Sequence, residues 1–210
     1  MLIPYQQLLQ KYNIRPTGVL HIGANTGQEA PDYYSNGVER TIWVEADASL
    51  ISPLIHNLAS YPNHLVFNDC ITDIDGEDVT LHIANNGGQS SSILGLGTHS
   101  IAHPEVYYTS ARVVESTRID TLLATNEINI EDYPFVNIDI QGAELLALKS
   151  FGELLHKVKY LYIEVNDNEL YTGCALYPEI EQYLHTYGFK MQEKVMSGNH
   201  GWGDCYFSKY

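Results

Sequence analysis

Three carboxylates stand where apolar runs come to an end. Glu45 closes Thr41-Ile42-Trp43-Val44, Asp139 lies in Phe135-Val136-Asn137-Ile138-Asp139-Ile140, and Glu164 lies in Tyr160-Leu161-Tyr162-Ile163-Glu164-Val165. An acid closing a buried strand is costly unless it has a partner or a ligand. Such a group can accept both hydroxyls of a ribose or take a proton from an alcohol. Ahead of all three runs Val19-Leu20-His21-Ile22-Gly23-Ala24-Asn25-Thr26-Gly27, a strand entering a glycine-rich turn. Glycines there let a ligand approach the backbone, and a helix opening near Gln28 offers free N–H donors. The spacing is G-x-x-x-G, not the G-x-G-x-x-G of dinucleotide dehydrogenases.

Other candidates are more dispersed. Asn68-Asp69-Cys70 ends a third apolar run, where a side chain can meet an adenine amino group. Gln141 and Glu144 follow Asp139 at the start of a helix, where a carboxylate suits the N-terminal dipole. His200 and Asp204 share the segment Asn199-His200-Gly201-Trp202-Gly203-Asp204, expected to be a loop crossing the mouth of the site. Histidine titrates near neutrality, so His200 is the candidate base, with His99 and His103 as further imidazoles. Tyrosines number 16, and Tyr107, Tyr108, Tyr162, Tyr171 and Tyr177 fall near segments expected to rim the pocket. Their amphipathic rings suit sugars. Asp139, Glu164 and Asp204 are too scattered to form a metal motif, and no metal is expected.

These residues need a scaffold. Short apolar runs alternate with helical patterns, which predicts an α/β fold with a largely parallel sheet. Strands are expected at 18–23, 41–45, 65–68, 135–140 and 160–165. They lack clean alternation, as strands covered on both faces do. Leu50, Leu54 and Leu58 mark a helix after a Ser49 cap, and Leu145, Leu148 and Phe151 mark a second. Ile180, Tyr183, Leu184 and Tyr187 mark a third, with Pro178 at its start and Gly188 past its end. Residues 189–195 and 205–210 read as a closing antiparallel hairpin around Ser197-Gly198-Asn199. Residues 1–17 read as a helical lead-in. Residues 76–119 read as an irregular, substrate-side insertion, with strand-like pieces at 79–83 and 112–117.

Composition narrows the function classes. The chain has 210 residues, 44% of them apolar, with 26 acidic residues against 11 basic ones and a formal charge of −15. One globular domain over 1–210 is expected. The charge opposes nucleic acid and anionic membrane as partners, because both are held by Lys and Arg. Cys70, Cys174 and Cys205 show neither a disulfide framework nor zinc spacing. The first residues lack a basic leader, and no run reaches the ~20 apolar residues of a membrane span. A soluble, cytoplasmic protein is expected.

The segments LHIGANTGQE, TIWVEADAS, GGQSSSIL, STRIDTLL and VNIDIQGAELLALKSF, in that order, resemble the FkbM family of S-adenosylmethionine-dependent methyltransferases. Asp139-Ile140-Gln141-Gly142-Ala143-Glu144 is the most specific piece, similar to the family's D-x-E/Q-G-A-E signature. The resemblance covers roughly residues 18–208. It implies a class I, Rossmann-like methyltransferase fold: a three-layer sandwich on a seven-stranded mixed sheet whose last strand is antiparallel. His21 departs from it, since many relatives carry an acid there. The candidate cofactor-binding set is His21, Gly23, Ala24, Asn25, Gly27, Glu45, Ala46, Asp69, Cys70, Ser91, Asp139, Gln141 and Glu144. Asp139, Glu164 and His200 are the catalytic candidates, and Tyr108, Trp202 and Asp204 the substrate-binding ones. The expected activity is methyl transfer from S-adenosylmethionine to a hydroxyl of a sugar or glycan, such as a deoxyhexose. The alternatives are a small-molecule natural-product O-methyltransferase, or a non-catalytic cofactor- or glycan-binding module. Neither the acceptor's identity nor the oligomeric state is legible.

Overall fold

A computed structural model describes residues 1–209. Seven strands form the main sheet: β1 (Gly18–Ile22), β2 (Arg40–Val44), β3 (His64–Phe67), β7 (Phe135–Ile138), β8 (Tyr160–Asn166), β9 (Lys190–Met196) and β10 (Trp202–Ser208). Their order is β3-β2-β1-β7-β8-β10-β9. Neighbours from β3 through β8 pair in parallel, whereas β10 runs antiparallel to both β8 and β9. A smaller sheet, β4-β6-β5, is made from β4 (Cys70–Ile71), β5 (Asp78–Ala84) and β6 (Tyr108–Thr117).

Helices cover both faces of the main sheet. Alternate strand residues point to opposite faces, and the core splits accordingly. Leu20, Ile22, Ile42, Val44, Val136, Ile138, Leu161 and Ile163 pack with Leu122, Leu148, Ile180 and Leu184. Those last four lie on α5 (Ile119–Thr125), α6 (Glu144–Ser150) and α7 (Tyr177–Thr186). On the other face Val19, Trp43, Phe135, Tyr162 and Tyr206 pack with Tyr5, Leu8, Tyr33, Leu54 and Leu58. These helical residues lie on α1 (Tyr5–Tyr12), α2 (Ala30–Ser35) and α3 (Ala48–Leu58). A three-layer α/β arrangement results, with the antiparallel last strand in place. Among the described residues, no helix is long and apolar enough to cross a membrane.

Several local expectations are corrected. α3 is capped by Asp47, whose carboxylate accepts from the Ser49 N–H, so Ser49 is the residue being capped. The helix expected near Gln28 opens at Ala30. The 76–119 segment is more regular than expected: β5 and β6 pair antiparallel, and α4 (His99–Ala102) lies in their connection. β10 starts at Trp202 rather than Cys205, which puts Asp204 in the strand opposite Glu164. Tyr210, the end of the expected strand, lies outside the described residues.

The chain after β1 turns to β2 on one side, and β7 fills the other side. Such a reversal of strand order opens a crevice beyond the strands' carboxyl ends, where ligands of open α/β sheets bind. Gly23 sits at that point with φ +87°, and a Cβ there would lie 1.8 Å from the Asp139 carbonyl oxygen. Only glycine lets β1 and β7 leave the sheet this close together.

Candidate active site

A cavity of about 660 Å³ opens over the carboxyl ends of β2, β1, β7 and β8. His21, Gly23, Asn25, Glu45, Ala46, Asp69 and Cys70 line its first half, with Ser91 across from them. Asp139, Gln141, Glu164, Trp202 and Asp204 line the remainder. Residues far apart in the chain thus converge, as the sequence suggested.

The turn after β1 is built around Glu45. Its Oε2 accepts from the Asn25 N–H at 2.7 Å and its Oε1 from the Asp47 N–H at 2.7 Å. Asn25 takes a left-handed φ of +46°, which brings its amide to the carboxylate. Asn68 holds the β2 exit from below, donating to the Glu45 and Ala46 carbonyls. Burial raises the Glu45 pKa, while these backbone donors act against that shift. The carboxylate is thereby fixed in place, with lone pairs left for a ligand's hydroxyls. Asp69 accepts from the Thr117 hydroxyl, tying the β3 exit to β6. Burial pushes the Cys70 thiol up to about 12, so it is a packing group without thiolate reactivity.

A cluster of acids occupies the other half. Glu164 and Asp204 face each other across the β8–β10 pair and are both buried. Asp139 lies just past the end of β7 and is exposed to the cavity. Gln141, at φ +57°, aims its amide between two of them, Nε2 donating to Asp139 Oδ1 at 2.6 Å and to Glu164 Oε2 at 3.1 Å. Its Oε1 accepts from the Tyr171 hydroxyl at 2.5 Å. Desolvation first, then the neighbouring Asp204, pushes Asp139 up to about 7. Burial, then Asp139 and Glu144, raises Glu164 well above the usual carboxylate range. Among the described residues no Lys or Arg lines the cavity, although the Met1 amino terminus does.

Several expected contributors lie outside the lining. Ala24 and Gly27 shape the turn from within: the Ala24 N–H donates to the Val44 carbonyl, and Gly27 packs toward Leu54. Tyr108 stacks on His82 at 4.8 Å and donates its hydroxyl to the Leu94 carbonyl, which stabilises the connection after β5. His200 is exposed in the β9–β10 turn and stacks on His103 at 4.8 Å, because the turn is shorter than expected. Asp204, by contrast, lines the cavity, and its Oδ2 accepts from the Tyr162 hydroxyl and the Leu2 N–H. Glu144 is buried, its carboxylate folded back to accept from the Gly142 and Ile140 N–H groups. It braces the turn that leads from β7 into α6. Glu144→Ala is expected to cost about 2–3 kcal/mol by stranding those donors. Thermal melting checks the loss, and calorimetry on the folded variant is expected to find cofactor affinity within threefold of the parent.

The segment between β5 and β6 forms the remaining wall. Gln89, Ser90, His99, His103 and Glu105 line it, with Tyr171 and Trp202 alongside. The His99 ring lies 5.3 Å from Tyr171 and 5.0 Å from His103, and its Nδ1 meets no partner among the described residues. Burial, then His103, lowers the His99 pKa. Gln89, Ser90 and Glu105, like Glu29 on the turn side, carried no local signal, because long-range chain return brings them here.

The pocket suits S-adenosylmethionine chemically: an acceptor for ribose at Glu45, and a cluster of acids for a ligand that carries an ammonium and a sulfonium. A seven-stranded sheet of this order, with the pocket at its switch point, defines a class I methyltransferase. The chain matches the methyltransferase FkbM domain over residues 21–191 and belongs to that family of S-adenosylmethionine-dependent methyltransferases. It is 26% identical over 162 residues to "2-O-methyltransferase NoeI" of Sinorhizobium fredii (strain NBRC 101917 / NGR234), covering 74% of this chain. That match spans 65% of the relative's length, just under two thirds. Among solved structures it is similar to magnesium protoporphyrin IX methyltransferase (ChlM) of Synechocystis PCC 6803 with bound SAM, at 10% identity and a TM-score of 0.55. The alignment covers 98% of this chain and 76% of that one. A protein of the NADB-Rossmann superfamily from Streptococcus agalactiae aligns with a TM-score of 0.52 at 10% identity, over 97% of this chain and 66% of its own. At these identities the structural likenesses speak for the fold.

Proposed function

We propose that this chain is an O-methyltransferase whose acceptor is a hydroxyl of a sugar or glycan. The observation that carries the reading is the two-part cavity: an acidic half beside the glycine turn and a polar, aromatic half built by the segment between β5 and β6. The relative named as a 2-O-methyltransferase supports transfer to oxygen. Trp202 offers a ring for the apolar C–H face of a sugar, and Gln89, Ser90 and Glu105 offer partners for its hydroxyls. S-adenosylmethionine supplies an activated methyl group when bound. The protein's part is placement, which is worth roughly 7–11 kcal/mol in well-oriented systems.

Glu45 holds the ribose, and Asp69 with Cys70 borders the adenine end. Asp139 and Glu164 face the ammonium and sulfonium end. Because His200 is outside the lining, the acceptor's proton goes instead to His99, a neutral imidazole on the acceptor wall, or to Asp139 at the boundary between the halves. Removing such a base lowers turnover by ~10²–10⁴-fold. We read residues 1–210 as one methyltransferase domain acting in the cytoplasm, in keeping with three buried free thiols.

Incubation with methyl-labelled cofactor and a panel of sugars, oligosaccharides and compact alcohols tests the proposal. Label is expected on a sugar hydroxyl, and His99→Asn is expected to cut the rate at least 100-fold while leaving cofactor binding unchanged. Label only on compact alcohols would favour the natural-product reading. No label on any hydroxyl, with cofactor binding confirmed, would overturn it.

A further inference from the structure

Beneath the acidic cluster lies a buried relay that the transfer reaction leaves unused. β1 and β7 place His21 opposite Asn137, and both side chains fall on the face covered by α2. There Tyr33 meets them. Asn137 Nδ2 donates to the Tyr33 hydroxyl oxygen at 2.8 Å, and that hydroxyl lies 3.2 Å from His21 Nδ1. A phenol has a single proton. With its oxygen already accepting from the amide, it donates to His21 Nδ1, and the imidazole proton must then sit on Nε2.

The opposite polarity would require the Asn137 amide to turn over. That would bury an –NH₂ group with no acceptor, whereas the present orientation leaves the Oδ1 acceptor unpaired. Orphaned buried N–H groups are rarer than under-satisfied carbonyls. Trp43 stacks on the imidazole at 5.0 Å and 26°, fixing the ring plane. Burial lowers the His21 pKa, which keeps the ring neutral. His21 lines the cavity, and its Nε2 meets no partner among the described residues.

A methionine-type tail brings an ammonium and a carboxylate together. The acids answer the ammonium, with Glu29 adding to their pull. Among the described residues the carboxylate finds no Lys or Arg in the lining, and the Met1 amino terminus acts on Asp139 and Asp204, which leaves a neutral donor to meet it. We propose that His21 Nε2–H, its tautomer set by Asn137 and Tyr33, is the donor that recognises the cofactor's α-carboxylate, while Asp139 on the adjacent strand takes the α-ammonium. The assignment rests on S-adenosylmethionine being the ligand. Tyr33 and Asn137 act through His21 and are positioning residues.

Nitrogen-15 NMR of the free protein reads the tautomer without any ligand, and Nδ1 is expected bare with Nε2 protonated. Calorimetry then compares S-adenosylhomocysteine, its α-carboxamide analogue and 5′-methylthioadenosine, which lacks the amino-acid tail. The carboxamide is expected to bind about tenfold or more weaker than the acid. His21→Leu is expected to weaken S-adenosylhomocysteine by about the same factor and to leave 5′-methylthioadenosine unchanged, with His21→Gln, which retains a donor, in between. Tyr33→Phe is expected to mix the tautomers. Protonation at Nδ1 in the parent, or an acid-to-carboxamide ratio that His21→Leu does not move, would overturn the proposal. Failure of the parent to bind any of the three would overturn the cofactor reading along with it.

Discussion

Affinity for S-adenosylmethionine is expected to fall about tenfold for each pH unit as the solution is acidified from 7 to 5, roughly 100-fold in all. The cause is the acid cluster. Desolvation, then Asp204, pushes Asp139 up to about 7, and burial, then Asp139 and Glu144, raises Glu164 well above the usual carboxylate range. Below neutrality the free protein therefore holds a proton in this pocket. A cationic ligand favours the ionised carboxylates, so binding expels that proton and weakens as protons become abundant. The same shift acts on folding with the opposite sense. A carboxyl whose folded pKa lies above its ordinary 3.8 stabilises the fold below that value, and the contribution is lost as pH rises through about 7. The free protein's melting temperature is thus expected to drop between pH 5.5 and 8, and the increase caused by cofactor to grow. Calorimetry in two buffers of different ionisation enthalpy measures the proton release. Asp139→Asn is expected to flatten the profile; an affinity that is level from pH 5 to 8 in the parent would contradict this account.

Glu45→Ala is expected to lower cofactor affinity on the order of 10²–10⁴-fold. Two hydrogen bonds from ribose hydroxyls to a carboxylate are each worth about 1.5–3 kcal/mol. The substitution also removes the acceptor that ties the Asn25 and Asp47 backbones together, so the glycine turn loses its brace. Glu45→Gln keeps the shape and one acceptor and is expected to lose about tenfold. Equilibrium binding of S-adenosylhomocysteine, with melting curves to confirm that both variants fold, separates these outcomes. An alanine variant that binds within threefold of the parent would remove Glu45 from the site.

The strands were legible because their apolar runs are covered on both sides, and Gly23, Glu45 and Asp139 were legible because each breaks such a run. What escaped depended on register. Placing β10 three residues late turned Asp204 into a loop residue and made His200 a base at the mouth, whereas pairing sets Asp204 against Glu164. Glu144 was ambiguous for a different reason. A carboxylate at a helix start serves a ligand or its own backbone equally well in sequence, and only the distances to Gly142 and Ile140 decide. His99 carried little signal because its neighbours Tyr171 and His103 are defined by a chain return of about 70 residues on one side and a four-residue helix on the other. The His21 relay escaped as well, since a polar row across one sheet face is invisible until the strands are ordered.

The insertion of β10 between β8 and β9 carries a consequence for biogenesis. A nascent chain that has emerged only as far as β9 presents two strands that cannot yet join, each with a bare rim of amide groups. Sheet closure waits for the final strand to slide into the gap, a long-range step of the slow, aggregation-exposed kind. That strand also brings Asp204, so the pocket acquires its full charge only once β10 has paired with β8.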